Sequence, residues 1–260
     1  MRKDLQEFIA YGCIMTGVFL LLVNIFTGVG QFWVIYPLAV LFCPLIWLLI
    51  ENKTVAALII SVLFFAACVI QNLIEMPQYL WFVFIIPLSV VFPIIVGLGR
   101  AAWTRATSYI ISLFVIVFYL ILNLYFEPRF FWSIFIIFGL VWWPMSMTFW
   151  KKTRVFSIMS AGWIILFFSV LNLMTTPEIF WAIHPIFAVL WWPFSIYLAK
   201  MPFRYGVFGA LVTIAYFSIL NALISPNQIW AVYPAFAIAW WPLSVYYFVS
   251  CPEKANHFET

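Results

Sequence analysis

The side chains able to do chemistry are few and widely spaced. His184 and His257 are the two histidines, the side-chain type that titrates unperturbed near neutral pH. His184 lies near one end of an apolar run with no acidic residue deep in that run to pair with, so it reads as a local hydrogen-bonding residue ahead of a proton relay. Glu75, Glu127 and Glu178 fall in short polar turns near helix N-termini, where the helix dipole favours a carboxylate. They are either solvated turn residues or an acidic outer rim that attracts cations. The four cysteines, Cys13, Cys43, Cys68 and Cys251, include no pair at metal-ligand spacing and suggest neither a disulfide framework nor a zinc site. The sequence offers no Ser-His-Asp set, paired intramembrane aspartates or glycine-rich phosphate loop. The chain is therefore expected to be no enzyme, with no catalytic residue, cofactor or metal.

What recurs is structural vocabulary. Asn24, Asn72, Asn123, Asn172 and Asn221 are separated by 48, 51, 49 and 49 residues, and each is followed nine positions later by a tryptophan: Trp33, Trp81, Trp132, Trp181 or Trp230. A fixed period of this kind is an internal repeat. The asparagines fall where an apolar run ends. Asparagine tolerates the left-handed conformation of a helix terminus and bonds its own turn, so each reads as a cap. The alternative is a candidate outer polar rim formed by the amides of Asn72, Asn123, Asn172 and Asn221 with Glu75, Glu127 and Glu178. The repeated tryptophans fit an interfacial aromatic belt, with ligand stacking as the alternative.

Composition supplies the elements that position these residues. A chain that is 67% hydrophobic, 22% aromatic and 8% charged has too little polar surface to cover a soluble globule. Its apolar runs of about 17 to 22 residues are each long enough to cross a bilayer as a helix. The expected fold class is an all-α polytopic membrane protein of ten transmembrane helices, arranged as five parallel two-helix hairpin repeats. The repeats cover approximately 7–50, 54–98, 105–149, 154–199 and 204–249 of a single membrane domain, with 250–260 a cytoplasmic tail. First helices are expected at 7–24, 54–72, 106–123, 155–172 and 205–221, and second helices at 31–49, 79–97, 130–149, 179–198 and 228–248. The run ending near Val23 has no convincing cleavage site and reads as an uncleaved first span.

Charge orients the spans. Of the 12 Lys and Arg, Arg129 alone falls in a turn within a hairpin, and the others lie in the links between hairpins or at the termini. The positive-inside rule then puts both termini and the basic links in the cytoplasm, and leaves nothing for a nucleic-acid reading to explain. Each repeat holds an even number of spans, so successive copies insert in the same direction, unlike the inverted repeats of many ion-coupled transporters.

Within second helices, Trp181, Pro185, Ala188, Trp192 and Ser195 share one face, as do Trp230, Pro234, Ala237, Trp241 and Ser244, and Trp132, Ile136, Gly139, Trp143 and Ser146. The small central residue invites close approach of another helix backbone. Eleven residues before each asparagine stands a matching small residue: Cys13, Ser61, Ser112, Ala161 or Ala210. Pro144, Pro193 and Pro242 free the carbonyls of Leu140, Val189 and Ile238, which a serine or a neighbouring helix must satisfy. The candidate cavity or helix-contact residues are thus Trp143, Ser146, Pro185, Ala188, Trp192, Ser195, Pro234, Ala237, Trp241 and Ser244.

At Asn172, Pro177, Trp181, Pro185 and Trp192 the unit resembles the two-transmembrane hairpin domain of bacterial membrane proteins, which reads broadly as Asn, loop Pro, Trp, Pro, then Trp-Gly. Pro193 and Pro242 stand here in place of that glycine, and Ile136 in place of the first proline of the middle hairpin. That domain occurs alone and beside sensor kinases or LytTR-type regulators, and has no assigned catalytic function. The resemblance implies a bacterial inner-membrane protein that acts as a scaffold or regulatory partner of another membrane or cytoplasmic protein. The alternative is a channel or carrier for a small or apolar solute through a cavity between hairpins.

Overall fold

A computed structural model describes residues 3–27 and 33–250. The expected tail from residue 251 onward, with Cys251, Lys254 and His257, lies outside the described residues, as do Arg2 and the turn at 28–32. The chain divides into two compact units, Met1–Met147 and Thr148–Thr260. The first holds α1 (Lys3–Thr27), α2 (Ile35–Leu49), α3 (Lys53–Glu75), a 3-10 turn (Trp81–Ile85) leading into α4 (Ile86–Leu98), a second 3-10 turn (Gly99–Trp103) and α5 (Arg105–Phe126). The boundary between units falls inside α6 (Ser133–Phe149). The second unit holds α7 (Thr153–Thr175), α8 (Ile183–Leu198), α9 (Pro202–Ile224) and α10 (Val232–Val245), which runs on as a π turn (Tyr246–Ser250). Consecutive helices pack side by side: α1 to α5 in the first unit, α7 to α10 in the second. No strand occurs among the described residues.

Proline sets where α3, α5, α7 and α9 stop. Met76, Glu127, Thr176 and Ser225 each precede a proline, whose ring disfavours the α conformation of the residue before it. Their φ angles are −141°, −148°, −149° and −144°. The left-handed terminus expected from the asparagines is absent: among the described residues no non-glycine has a positive φ. Second helices also begin several residues later than expected, because the repeated tryptophan still belongs to the turn. At the opposite ends, the Asn52 side chain accepts from the N–H groups of Thr54 and Val55 to cap α3, and the Thr104 hydroxyl accepts from Thr107 to cap α5. Gly99, at φ 52°, ends α4 in a conformation that any side chain would strain.

Burial is inverted relative to a soluble protein. The largest side chains that are fully buried are all polar: Gln71, Asn72, Asn123, Ser108, Ser133, Ser157 and Ser160. Large apolar side chains such as Phe26, Tyr125 and Ile229 are about four-fifths exposed. Water would penalise that arrangement and hydrocarbon favours it. Among the described residues seven helical segments are long and apolar enough to cross a membrane, while α2, α6 and α8 are apolar but shorter, at 15, 17 and 16 residues.

Candidate functional site

Each described turn is closed by one buried asparagine. Asn72 Nδ2 donates to the carbonyls of Met76 and Tyr79 at 2.7 and 2.9 Å, and its Oδ1 accepts from Phe82 N–H at 3.1 Å. The same three bonds recur at Asn123 with Glu127, Phe130 and Ser133, at Asn172 with Thr176, Ile179 and Ala182, and at Asn221 with Ser225, Gln228 and Ala231, all between 2.7 and 2.9 Å. Both amide protons and the oxygen therefore act inside the turn. One side chain supplies donors to carbonyls at the end of the first helix and in the turn, and an acceptor to an N–H at the start of the second helix that has no helical partner. Between them the chain reverses through an inverse γ-turn: Leu80 sits at φ −82° and ψ 63°, and Trp81 N–H donates to Tyr79 O at 2.9 Å. Equivalent bonds run from Trp132 to Phe130, Trp181 to Ile179 and Trp230 to Gln228. Glu75, Glu127 and Glu178 remain exposed beside these turns.

The tryptophan following the γ-turn folds back on its own first helix. Its ring meets the aromatic four residues before the asparagine edge-on: Tyr119–Trp132, Phe168–Trp181 and Phe217–Trp230 have centroids 6.2 to 6.3 Å apart and interplanar angles of 79° to 83°. The Trp181 indole also donates to Thr176 Oγ1 at 2.7 Å.

A second set of aromatics joins one helix pair to the next, and sequence reasoning missed it. The residue twelve after the asparagine reaches forward: Tyr36 lies 6.3 Å from Trp81, Phe84 lies 5.5 Å from Phe126, and His184 Nδ1 is 2.7 Å from Tyr216 Oη. Tyr119 Oη donates to Phe84 O at 2.7 Å. Between α8 and α9, Phe187 stacks on Tyr216 at 4.1 Å, Trp191 packs against Tyr205 at 6.1 Å, and Ser195 Oγ lies 3.1 Å from Tyr205 Oη. The available signal was the first tryptophan of each pair, Trp191, which points to a different face from Trp192.

The expected contact residues divide accordingly. Trp192 packs on Phe156 at 5.8 Å and Trp241 on Tyr205 at 5.8 Å, each against its own first helix. Trp143 lies 6.3 Å from Trp103, and its buried indole N–H has no partner. Ser195 joins the junction to Tyr205, while Ser146, Pro185 and Pro234 are half-buried. Ala188, Ala237 and Ser244 are exposed, and a Cβ on Gly139 would meet nothing within 4 Å. In the second unit, close approach occurs on α9 instead, because the tryptophan is the knob and the hole must lie opposite it. A Cβ on Gly209 would stand 2.5 Å from the Trp241 ring and 3.0 Å from Trp191, and one on Gly206 would stand 3.4 Å from the Pro242 Cα. The small residues Ala161 and Ala210 are buried.

Inside the helices, prolines leave carbonyls that neighbours take up. Ser112 Oγ donates to Leu140 O at 3.2 Å, the carbonyl freed by Pro144. Cys13 Sγ, at the matching position of α1, donates to Leu41 O at 3.4 Å, one residue past the Val40 carbonyl that Pro44 frees. An apolar cavity of about 380 Å³ lies between α4, α5 and α6, lined by residues including Pro87, Val115, Tyr119, Ile136 and Gly139. At the basic ends, Lys53 Nζ donates to the last carbonyls of α2, Arg105 Nε donates to Met147 O at 3.4 Å, and the Arg154 guanidinium lies 5.5 Å from the centre of the Tyr197 ring. Among the described residues no three His, Cys, Asp or Glu side chains cluster where they could hold a metal ion.

Helices that expose their apolar side chains and bury amides and hydroxyls define a multi-pass helical membrane protein. No family model, curated protein or solved structure matches the chain.

Proposed function

We propose that the chain is a non-enzymatic scaffold or regulatory partner in a bacterial inner membrane, crossing it ten times as five same-facing hairpins with both termini in the cytoplasm. The observation that carries this reading is where the repeated residues are used. The asparagine amide, the turn tryptophan and the aromatics twelve positions on are engaged in holding a hairpin or docking the next one. What is left for a partner is the apolar exterior and the basic inner links. The three shorter helices fit ten spans because each is preceded by a turn whose tryptophan extends its apolar length. Reporter fusions should place the links at Lys152 and Arg204 in the cytoplasm, and native-membrane isolation should recover a second protein at fixed stoichiometry. A clean preparation of the lone chain would count against the scaffold.

The second reading is a carrier for a small apolar solute, favoured by the 380 Å³ cavity beside Gly139. Liposomes containing the purified chain separate the two. No flux is expected of a scaffold, and saturable flux lost on filling the cavity with Gly139→Trp would replace it with the carrier.

A further inference from the structure

The α8–α9 junction is written a second time in this sequence, with its two halves at opposite ends of the chain. On α8 the joining face consists of His184, Phe187, Trp191 and Ser195; on α9 it consists of Tyr205, Gly209 and Tyr216. The residues at the α8 offsets on α10 are Tyr233, Phe236, Trp240 and Ser244. They are uncovered: Tyr233 is 76%, Phe236 69% and Trp240 56% exposed. The residues at the α9 offsets on α1 are Phe8, Gly12 and Phe19. Phe8 is 74% and Phe19 62% exposed, and a Cβ on Gly12 would meet nothing within 4 Å, whereas its counterpart Gly209 is filled by two indoles.

We infer that the α10 face of one copy docks on the α1 face of a second copy, continuing between chains the junction that joins α8 to α9 within one. Exposed apolar side chains alone would say nothing in a bilayer. What singles these two faces out is the matched order of aromatic, glycine notch and aromatic opposite a ladder of three aromatics and a serine, a pairing already seated once in this protein. Trp240 takes the place of Trp191 over the Gly12 notch, and Phe236 stacks on Phe19 as Phe187 does on Tyr216. Small residues that admit a neighbouring ring are how helices associate in lipid. The pairing differs in its polar groups: Phe8 has no hydroxyl for Ser244, and Tyr233 replaces His184. Docking joins two different surfaces, so it closes into a ring or runs on as an array. This inference does not depend on whether the chain is a scaffold or a carrier.

The test uses the full chain, with two copies carrying different affinity tags co-expressed and extracted in a mild detergent. One tag should co-isolate the other, and Gly12→Trp or Trp240→Ala should abolish this. Gly162→Trp serves as the control, since a Cβ at Gly162 also meets nothing within 4 Å but stands outside the face, and it should leave co-isolation intact. A photoreactive phenylalanine analogue at position 236, with the two copies isotopically distinguished, should form an adduct on α1 of the other copy. Absence of co-isolation, indifference to Gly12→Trp, or adducts confined to lipid or to the same chain each overturns the inference.

Discussion

The Ser112 hydroxyl donates to the carbonyl of Leu140 at 3.2 Å, on the neighbouring helix and at the one backbone acceptor that Pro144 has left without its helical N–H. A proline in a membrane helix is tolerated where another group re-satisfies that carbonyl. Ser112→Ala removes the donor while keeping the small volume, and should lower stability by about 0.5 to 2 kcal/mol, the range of interhelical hydrogen bonds in lipid. Pro144→Ala restores a backbone N–H and should largely cancel the loss. A double-mutant cycle read by unfolding in mixed detergent micelles checks it, and simple additivity would contradict the relay.

The asparagine turns predict an order of severity. Asn221→Ala leaves the N–H of Ala231 to find water and takes from the carbonyls of Ser225 and Gln228 one of the two donors each accepts, a cost of about 1 to 3 kcal/mol for a group left unpaired. Asn221→Asp should be worse at neutral pH, because it aims a carboxylate at two carbonyls. Protonating that carboxyl returns one donor, so the aspartate variant alone should gain stability as pH falls. Unfolding midpoints measured across pH would expose the opposite order.

Much of this was legible in the sequence, and the failures have physical causes. The asparagine and turn-proline spacing located the helix ends, because proline acts locally on the residue before it. Of the two features expected of the asparagine, bonding its own turn and an αL conformation, the second is absent: Asn172 bonds three groups up to ten residues away in a turn that keeps φ negative. The contact faces were harder, since adjacent tryptophans point about 100° apart and spacing alone does not say which one meets which neighbour. Trp192 and Trp241 were read as one face, while Trp191 carries the contact to the next pair. Ala188 and Ala237 were expected to admit the backbone of another helix, but they are exposed, and the filled notch is Gly209 on α9.

Gly209 should be among the least replaceable residues of the second unit. A methyl there stands 2.5 Å from two atoms of the Trp241 ring and 3.0 Å from Trp191, so both indoles must shift to admit it. Gly209→Ala should destabilise by about 1 to 3 kcal/mol, the usual range for overpacking. Trp241→Phe should relieve part of it by shortening the ring. Equal loss in the single and double variants would show that the clash is absorbed elsewhere.

Gln71 predicts a gain. Its side chain is fully buried on α3, and neither its Nε2 nor its Oε1 has a partner, while Leu122, Leu171 and Leu220 stand just before the asparagines of α5, α7 and α9. An amide desolvated without hydrogen bonds costs about 1 to 3 kcal/mol, and leucine at similar volume carries no such cost. Gln71→Leu should therefore raise the unfolding midpoint, and Gln71→Glu should lower it further than any neutral change, since a buried charge is dearer than a buried dipole. If Gln71→Leu instead destabilises the protein, the amide has a partner that only the membrane-embedded chain acquires, and a polar group or water at α3 would be the place to look for it.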